Sequence, residues 1–193
     1  MSFGKVVTLA GERETEIVEI EDKPDVEDDA VLTEVIQTNV CGSEVHFWKG
    51  EFPVPNGAVL GHEAVLRVLE MGDDVNTDSA GETVEEGDII TPVYFQPCGE
   101  CSGCSNGQFY ACEVVKSTGE WMMPHSVPPH FRGTFATHYY IDGGQRFYKV
   151  PDDVPHHVAA SANCALSQVI FGLERANLTQ GETLFSAGRA VWG

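Results

Sequence analysis

Pro97-Cys98-Gly99-Glu100-Cys101-Ser102-Gly103-Cys104, closed by Cys112 after seven intervening residues, gathers four of the six cysteines of this 193-residue chain. Two abutting Cys-x-x-Cys pairs let neighbouring thiolates converge on one centre, and Gly99, Gly103 and Gly107 give the backbone freedom that so tight a knuckle requires. Cys112 then supplies the fourth thiolate of a tetrahedral cage. Four protein sulfurs with no open position are the form of a structural zinc site, which contributes folding energy and performs no chemistry. Two disulfides are the bland alternative. No secretory pattern opens the sequence, so thiolates in a reducing compartment, the cytoplasm, are expected instead. An iron-sulfur cluster is the sharper rival, because Cys-x-x-Cys-x-x-Cys also begins the bacterial ferredoxin run. That run puts its last cysteine three residues on and before a proline, whereas here the gap is seven and the proline comes first.

Outward from the knuckle the chain reads as β-rich. Strands are predicted over residues 4–10, 15–20, 31–40, 64–71, 89–95 and 133–141. Ser43 is expected to cap a short helix that Gly50 ends. The acidic loop from Asp73 to Ser79 reads as solvated and without function, and residues 121–130, with three prolines, as irregular. Near Pro151-Asp152-Asp153 the texture changes. Val158, Ala162, Leu166, Ile170 and Leu173 recur at helical spacing, which predicts one or two helices between Pro155 and Arg175, and a short strand is expected at 183–186. The expected division is therefore a β-rich unit over 1–150 and a linking helical segment over 151–193.

A net charge of −19, from 30 acidic and 11 basic residues, argues against nucleic acid or anionic lipid as a partner. No apolar run is long enough to span a membrane. The acids are spread through turns such as Asp25–Asp29 and Glu85-Glu86, the surface expected of a protein from a salt-loving organism, whose self-repulsion molar salt would screen. An ordinary acidic protein is the alternative.

Cys41, His62, Glu63 and Cys164 form a second set with metal-ligand chemistry. Two thiolates and an imidazole leave one position open, a ligand set of catalytic zinc. Singly these residues say little: a lone cysteine on an apolar helix is usually core, and a histidine after glycine is usually structural. Their order says more. Cys41-Gly42-Ser43-Glu44-x-His46, Gly61-His62-Glu63, Gly87-Asp88, the four-cysteine knuckle, Pro151-Asp152 and Ala162-Asn163-Cys164-Ala165-Leu166 follow one another as in zinc-dependent medium-chain dehydrogenases. The chain resembles the alcohol, polyol and threonine dehydrogenases of that family along nearly its whole length.

The resemblance implies a mainly β fold, a GroES-like β-barrel catalytic domain followed by linking helices and the first strand of a Rossmann domain. It implies two zinc sites, NAD or NADP as cofactor, and a small alcohol or carbonyl as substrate. Cys41, His62 and Cys164 match the catalytic zinc ligands, Glu63 the carboxylate beside the metal, and Glu44 the acid that orients the ligand histidine. Ser43 matches the hydroxyl that receives the alcohol's proton, and His46 the outer end of the relay to solvent. Trp48 and Tyr94 fall at substrate-pocket positions, though each reads equally as a packing aromatic.

The resemblance also breaks. The glycine-rich turn that should cradle a pyrophosphate reads Gly188-Arg189-Ala190-Val191-Trp192-Gly193, so Gly188 and Gly193 are a remnant of a cofactor site, with Ala190 in place of its second glycine. Leu66 replaces a glycine usual in the family, and Gly42 has no side chain to touch a cofactor phosphate. Two expectations follow. One is a dehydrogenase catalytic domain, inactive without a cofactor domain and prone to self-association through apolar helix surface; the other is a zinc-stabilised remnant or scaffold without turnover.

Overall fold

The computed structural model describes residues 2–113 and 123–184. Successive side chains of a strand leave on opposite faces, and in β3 (Val31–Thr38) the leading residues are buried on both. Val31 enters a core with Leu66, Val68, Ile90 and Ile141. Its neighbour Leu32 enters another with Val6, Val59, Phe131 and Tyr140. One sheet wall thus separates two apolar clusters.

That sheet is antiparallel, with β4 (Ala64–Met71) and β6 (His138–Ile141) on either side of β3, then β5 (Ile89–Pro92) against β4 and β7 (Phe147–Lys149) outermost. The β3–β4 register runs from Val31 opposite Met71 to Thr38 opposite Ala64, with irregularities at Leu32/Thr33 and Val35/Gln37 that bend the pair. A hairpin of β1 (Gly4–Gly11) and β2 (Glu14–Ile20) forms the second sheet. It is tied to the first unit by the Val7 N–H on Phe135 O at 2.7 Å and the Leu9 N–H on Ala58 O at 3.2 Å. Antiparallel order has a consequence for function: the end of β3, the start of β4 and the end of β5 lie along one edge of the sheet.

The mainly β architecture agrees with the sequence expectation, while several boundaries move for physical reasons. β5 stops at Pro92, which has no N–H to offer a ladder. The strand expected from 133 is regular only over His138–Ile141, because Thr134 and Phe135 give their N–H groups to Gly61 O and Leu60 O at 3.0 and 2.9 Å. The three residues of β7 were too short a run to read. Thr183 and Leu184 are not strand, and residues 185–186 lie outside the described residues.

The loop read as solvated is in part structural. Asp78 is buried, and its carboxylate accepts the N–H groups of Ala80, Glu82 and Lys149 at 2.8, 3.0 and 2.9 Å, joining the loop to β7. Burial pushes its pKa up, but the backbone donors of Lys149, Glu82, Ala80 and Gly81 outweigh this and hold it below the usual carboxylate value.

The helical segment divides into α3 (His156–Ala159), a π-helical turn (Ala162–Leu166) and α4 (Ser167–Arg175), after α1 (Gly42–Trp48) and the short α2 (Ser102–Ser105). Ala159 and Ala160 pack on Val65 of β4 and on Val150, which fixes the π turn over the sheet edge. Val169, Ile170 and Phe171 of α4 remain exposed. No helix among the described residues is long and apolar enough to cross a membrane.

Candidate functional site

Beyond β3 the chain turns at Cys41 into α1. Cys41 is the N-cap, a correction to the expected Ser43, which sits inside the first turn. The reason is Glu44: three residues on, its Oε2 reaches back to accept the Cys41 N–H at 2.7 Å. Gly50, at φ 72°, takes the left-handed conformation that ends the helix.

Glu44 is buried, and its other oxygen, Oε1, lies 2.6 Å from His62 Nδ1. An ionised carboxylate can only accept, so Nδ1 carries the hydrogen of this contact, and in the neutral imidazole Nε2 is then the nitrogen with the lone pair. That Nε2 is 3.3 Å from Cys164 Sγ. One side chain therefore fixes both the start of α1 and the tautomer of His62.

The segment before β4 is anchored carbonyl by carbonyl. His62 O accepts from Asn163 Nδ2 at 2.6 Å, Glu63 O from the Asn39 N–H at 2.9 Å and Thr38 Oγ1 at 3.1 Å, and Ala64 O from Thr91 Oγ1 at 3.0 Å. Gly61 makes this approach feasible. Its φ is +95°, and a Cβ there would lie 2.5 Å from Thr134 Oγ1 and 2.7 Å from Phe135 N.

Cys164 arrives on the π-helical turn, a widened turn of the kind that recurs at functional sites. Gln168 Nε2 donates to its sulfur at 3.4 Å. The ligand atoms of Cys41, His62, Glu63 and Cys164 all fall within 4.8 Å of one another, and three of the four residues are buried. Burial, the Cys41 sulfur and the Glu63 carboxylate push the Cys164 thiol up.

Whether zinc fits can be tested on sulfur spacing. Sulfurs about 2.3 Å from a tetrahedral zinc stand roughly 3.8 Å apart. Cys41 Sγ and Cys164 Sγ are 3.9 Å apart. In the knuckle, Cys98 Sγ lies 3.9 Å and Cys101 Sγ 3.5 Å from Cys104 Sγ, and Cys112 shares the cluster. Both donor sets fit the ion. Among the described residues no two cysteines are joined by a disulfide. The knuckle's Cys104 thiol is pushed up to about 12 by burial, while backbone donors at Cys104 and Glu113 lower that of Cys101.

The remaining sequence candidates are distributed around this centre. Tyr94, just past β5, sets its ring at a tilt over that of His62, with the centroids 4.5 Å apart; burial and then the Cys164 and Cys41 sulfurs raise its hydroxyl to about 12, so it is a neutral phenol. Ser43 is half-buried in the first turn of α1. His46 pairs through Nδ1 with Glu51 and meets Phe52 edge-on. Among the described residues no hydrogen bond joins Ser43 to His46. Trp48 lines an apolar cleft of about 190 Å³ with Val7, Leu9, Val45, Leu60 and Phe135; Glu44 touches that cleft, but none of the four clustered residues does. Gly188 and Gly193 lie outside the described residues. Leu66, the departure in β4, is fully buried in the core.

Sequence reading missed the parts played by Asn163, Gln168 and Glu51. Gln168 is four residues from Cys164, a spacing that puts two helical side chains on one face, and Asn163 is a polar residue in an apolar helical run. Those signals were present.

The family model described as "Alcohol dehydrogenase GroES-like domain" matches residues 27–152. Among curated proteins, 5-exo-hydroxycamphor dehydrogenase of Pseudomonas putida is 33% identical over 148 residues, which are 75% of this chain and 38% of that protein. D-xylulose reductase A of Aspergillus oryzae is 31% identical over 182 residues, 89% of this chain and 46% of that protein. Among solved structures, an alcohol dehydrogenase from Thermotoga maritima superposes with a TM-score of 0.77 at 27% identity, over 89% of this chain and 47% of that one. The chain spans less than half the length of these relatives.

Proposed function

This chain belongs to the zinc-dependent medium-chain dehydrogenase family through its GroES-like domain, and from that premise we propose that it carries the metal-holding catalytic half of an oxidoreductase interconverting alcohols and carbonyls. The observation that carries the proposal is the convergence of Cys41, His62, Glu63 and Cys164 within 4.8 Å, with Glu44 behind His62. Zinc held there would supply a Lewis acid that acidifies a hydroxyl or polarises a carbonyl.

In this reading Cys41, His62 and Cys164 hold the ion and Glu63 stands beside it. Glu44 holds the ring of His62 by its Nδ1–H and aims Nε2 at the centre. Ser43, one residue from Glu44, accepts the substrate's proton, and His46 with Glu51 passes it to the exposed end of α1. The neutral Tyr94 ring walls the reacting side. Cys98, Cys101, Cys104 and Cys112 hold a second, structural zinc. NAD or NADP would supply the hydride acceptor, and the described residues include no parallel dinucleotide-binding sheet to place it. Positioning of that kind is worth roughly 7–11 kcal/mol of barrier.

Fusing a family-type cofactor domain after Gln180 tests the proposal. The fusion is expected to oxidise at least one of ethanol, benzyl alcohol, threonine and sorbitol with NAD or NADP, and Ser43→Ala to lower kcat about 10²-fold or more. A fusion that binds the cofactor and retains two zinc ions yet oxidises none of them would contradict it.

A further inference from the structure

We propose that Asn163 is a positioning residue that sets the separation of His62 and Cys164, and thereby the metal affinity of the open site. The inference rests on the metal reading above and adds to it a residue that touches neither metal nor substrate.

A side-chain amide has two N–H donors, and Asn163 commits both to backbone carbonyls: His62 O and Pro92 O, each at 2.6 Å from Nδ2. These acceptors belong to two different segments at the sheet edge, the lead into β4 and the end of β5. Asn163 itself is the residue before Cys164 on the π turn. The amide therefore joins the backbone of one ligand to the neighbour of another across 101 residues of sequence. It also holds the strand end that carries Tyr94 over His62.

The orientation of the amide follows from its neighbours, since both atoms near Nδ2 are carbonyl oxygens that can only accept. Its own Oδ1 is buried with no partner among the described residues. A buried unpaired acceptor is destabilising, and an apolar side chain would fill the place without that cost. What asparagine adds here is the donor pair. The packing of Ala159 and Ala160 seats the π turn on the sheet, and the Asn163 amide adds a directional tie to the sheet next to Cys164 itself.

Titrating the metal-free, reduced chain with Co²⁺ tests this without reference to turnover, because the four-thiolate knuckle and the two-thiolate, one-imidazole site differ in their thiolate-to-cobalt and visible bands. Asn163→Leu is expected to weaken cobalt at the open site about 10–100-fold while the knuckle's affinity stays within about twofold, and Asn163→Ser, with one donor, to fall between. Val68→Ala, which loosens the core in the middle of β4, serves as comparator. An open-site affinity unchanged in Asn163→Leu would overturn the inference, as would an equal loss in Val68→Ala or at the knuckle. A parent chain that takes up one cobalt with a four-thiolate spectrum would instead overturn the underlying reading of the open site, and the inference with it.

Discussion

Cys112→Ser is expected to cost the chain most of its stability, whereas Cys41→Ser is expected to leave it folded and short of one metal. Between Cys98 and Cys112 the only regular structure is α2 and a single 3-10 turn at Phe109–Ala111. The aromatic residues of that turn do not form a core: Phe109 is 37% and Tyr110 59% exposed. What is buried is sulfur, with Cys112 fully enclosed and its Sγ accepting the Cys98 N–H at 3.4 Å. In such a lobe a bound metal would take the place of an apolar core, and its binding energy would be folding energy, about 10–16 kcal/mol for small zinc domains. A cage reduced to three thiolates is expected to lose on the order of 5 kcal/mol of this. For a chain of this size that lowers Tm by roughly 10–20 °C. Cys41 lies at a sheet edge that hydrogen bonds already hold together, through Asn39, Thr38, Thr91 and Asn163. Thermal melts followed by circular dichroism, with and without added zinc, check the contrast. Equal losses in the two variants, or the reverse order, would contradict it.

Replacing Glu44 is expected to have the next largest effect, because one carboxylate does two jobs. In Glu44→Ala the Cys41 N–H loses its buried acceptor, an omission that costs about 1–3 kcal/mol, and His62 loses the partner that fixes its tautomer. Metal affinity at the open site is expected to fall about 10–100-fold. Glu44→Gln separates the two roles. Its amide oxygen can still cap Cys41, so stability should be largely kept while metal affinity drops. Chelator competition beside chemical denaturation measures both. A Glu44→Gln chain that keeps the parent's metal affinity would make the carboxylate's role structural alone.

These expectations draw unequally on sequence and structure. The knuckle was legible because its ligands are close in the chain, and their spacing alone limits what they can hold. His62 and Cys164 are 102 residues apart, and only the order of motifs around them suggested that they meet. The sheet supplies the physical reason: antiparallel pairing of β3, β4 and β5 brings Cys41, His62 and Tyr94 to one edge, and α3 packed on Val65 carries Cys164 over it. Contacts that depend on this edge had no local pattern. Asn163 acts through two backbone carbonyls, and a carbonyl has no residue type to recognise. Asp78 was hidden differently: it stands among exposed acids, and only the course of the loop past Lys149 buries it. The N-cap was misplaced because serine is the commoner cap, whereas here Glu44 reaching back to Cys41 decides where the helix starts.

The central claim is that this chain has two metal sites of different kinds, one closed in sulfur and one open to chemistry. Metal analysis of protein purified without chelator measures this most directly. Two zinc ions per chain are expected, falling to one in Cys164→Ser with the fold intact. One ion per chain that Cys164→Ser leaves in place would contradict the claim, as would iron with a brown absorbance in the four-cysteine knuckle.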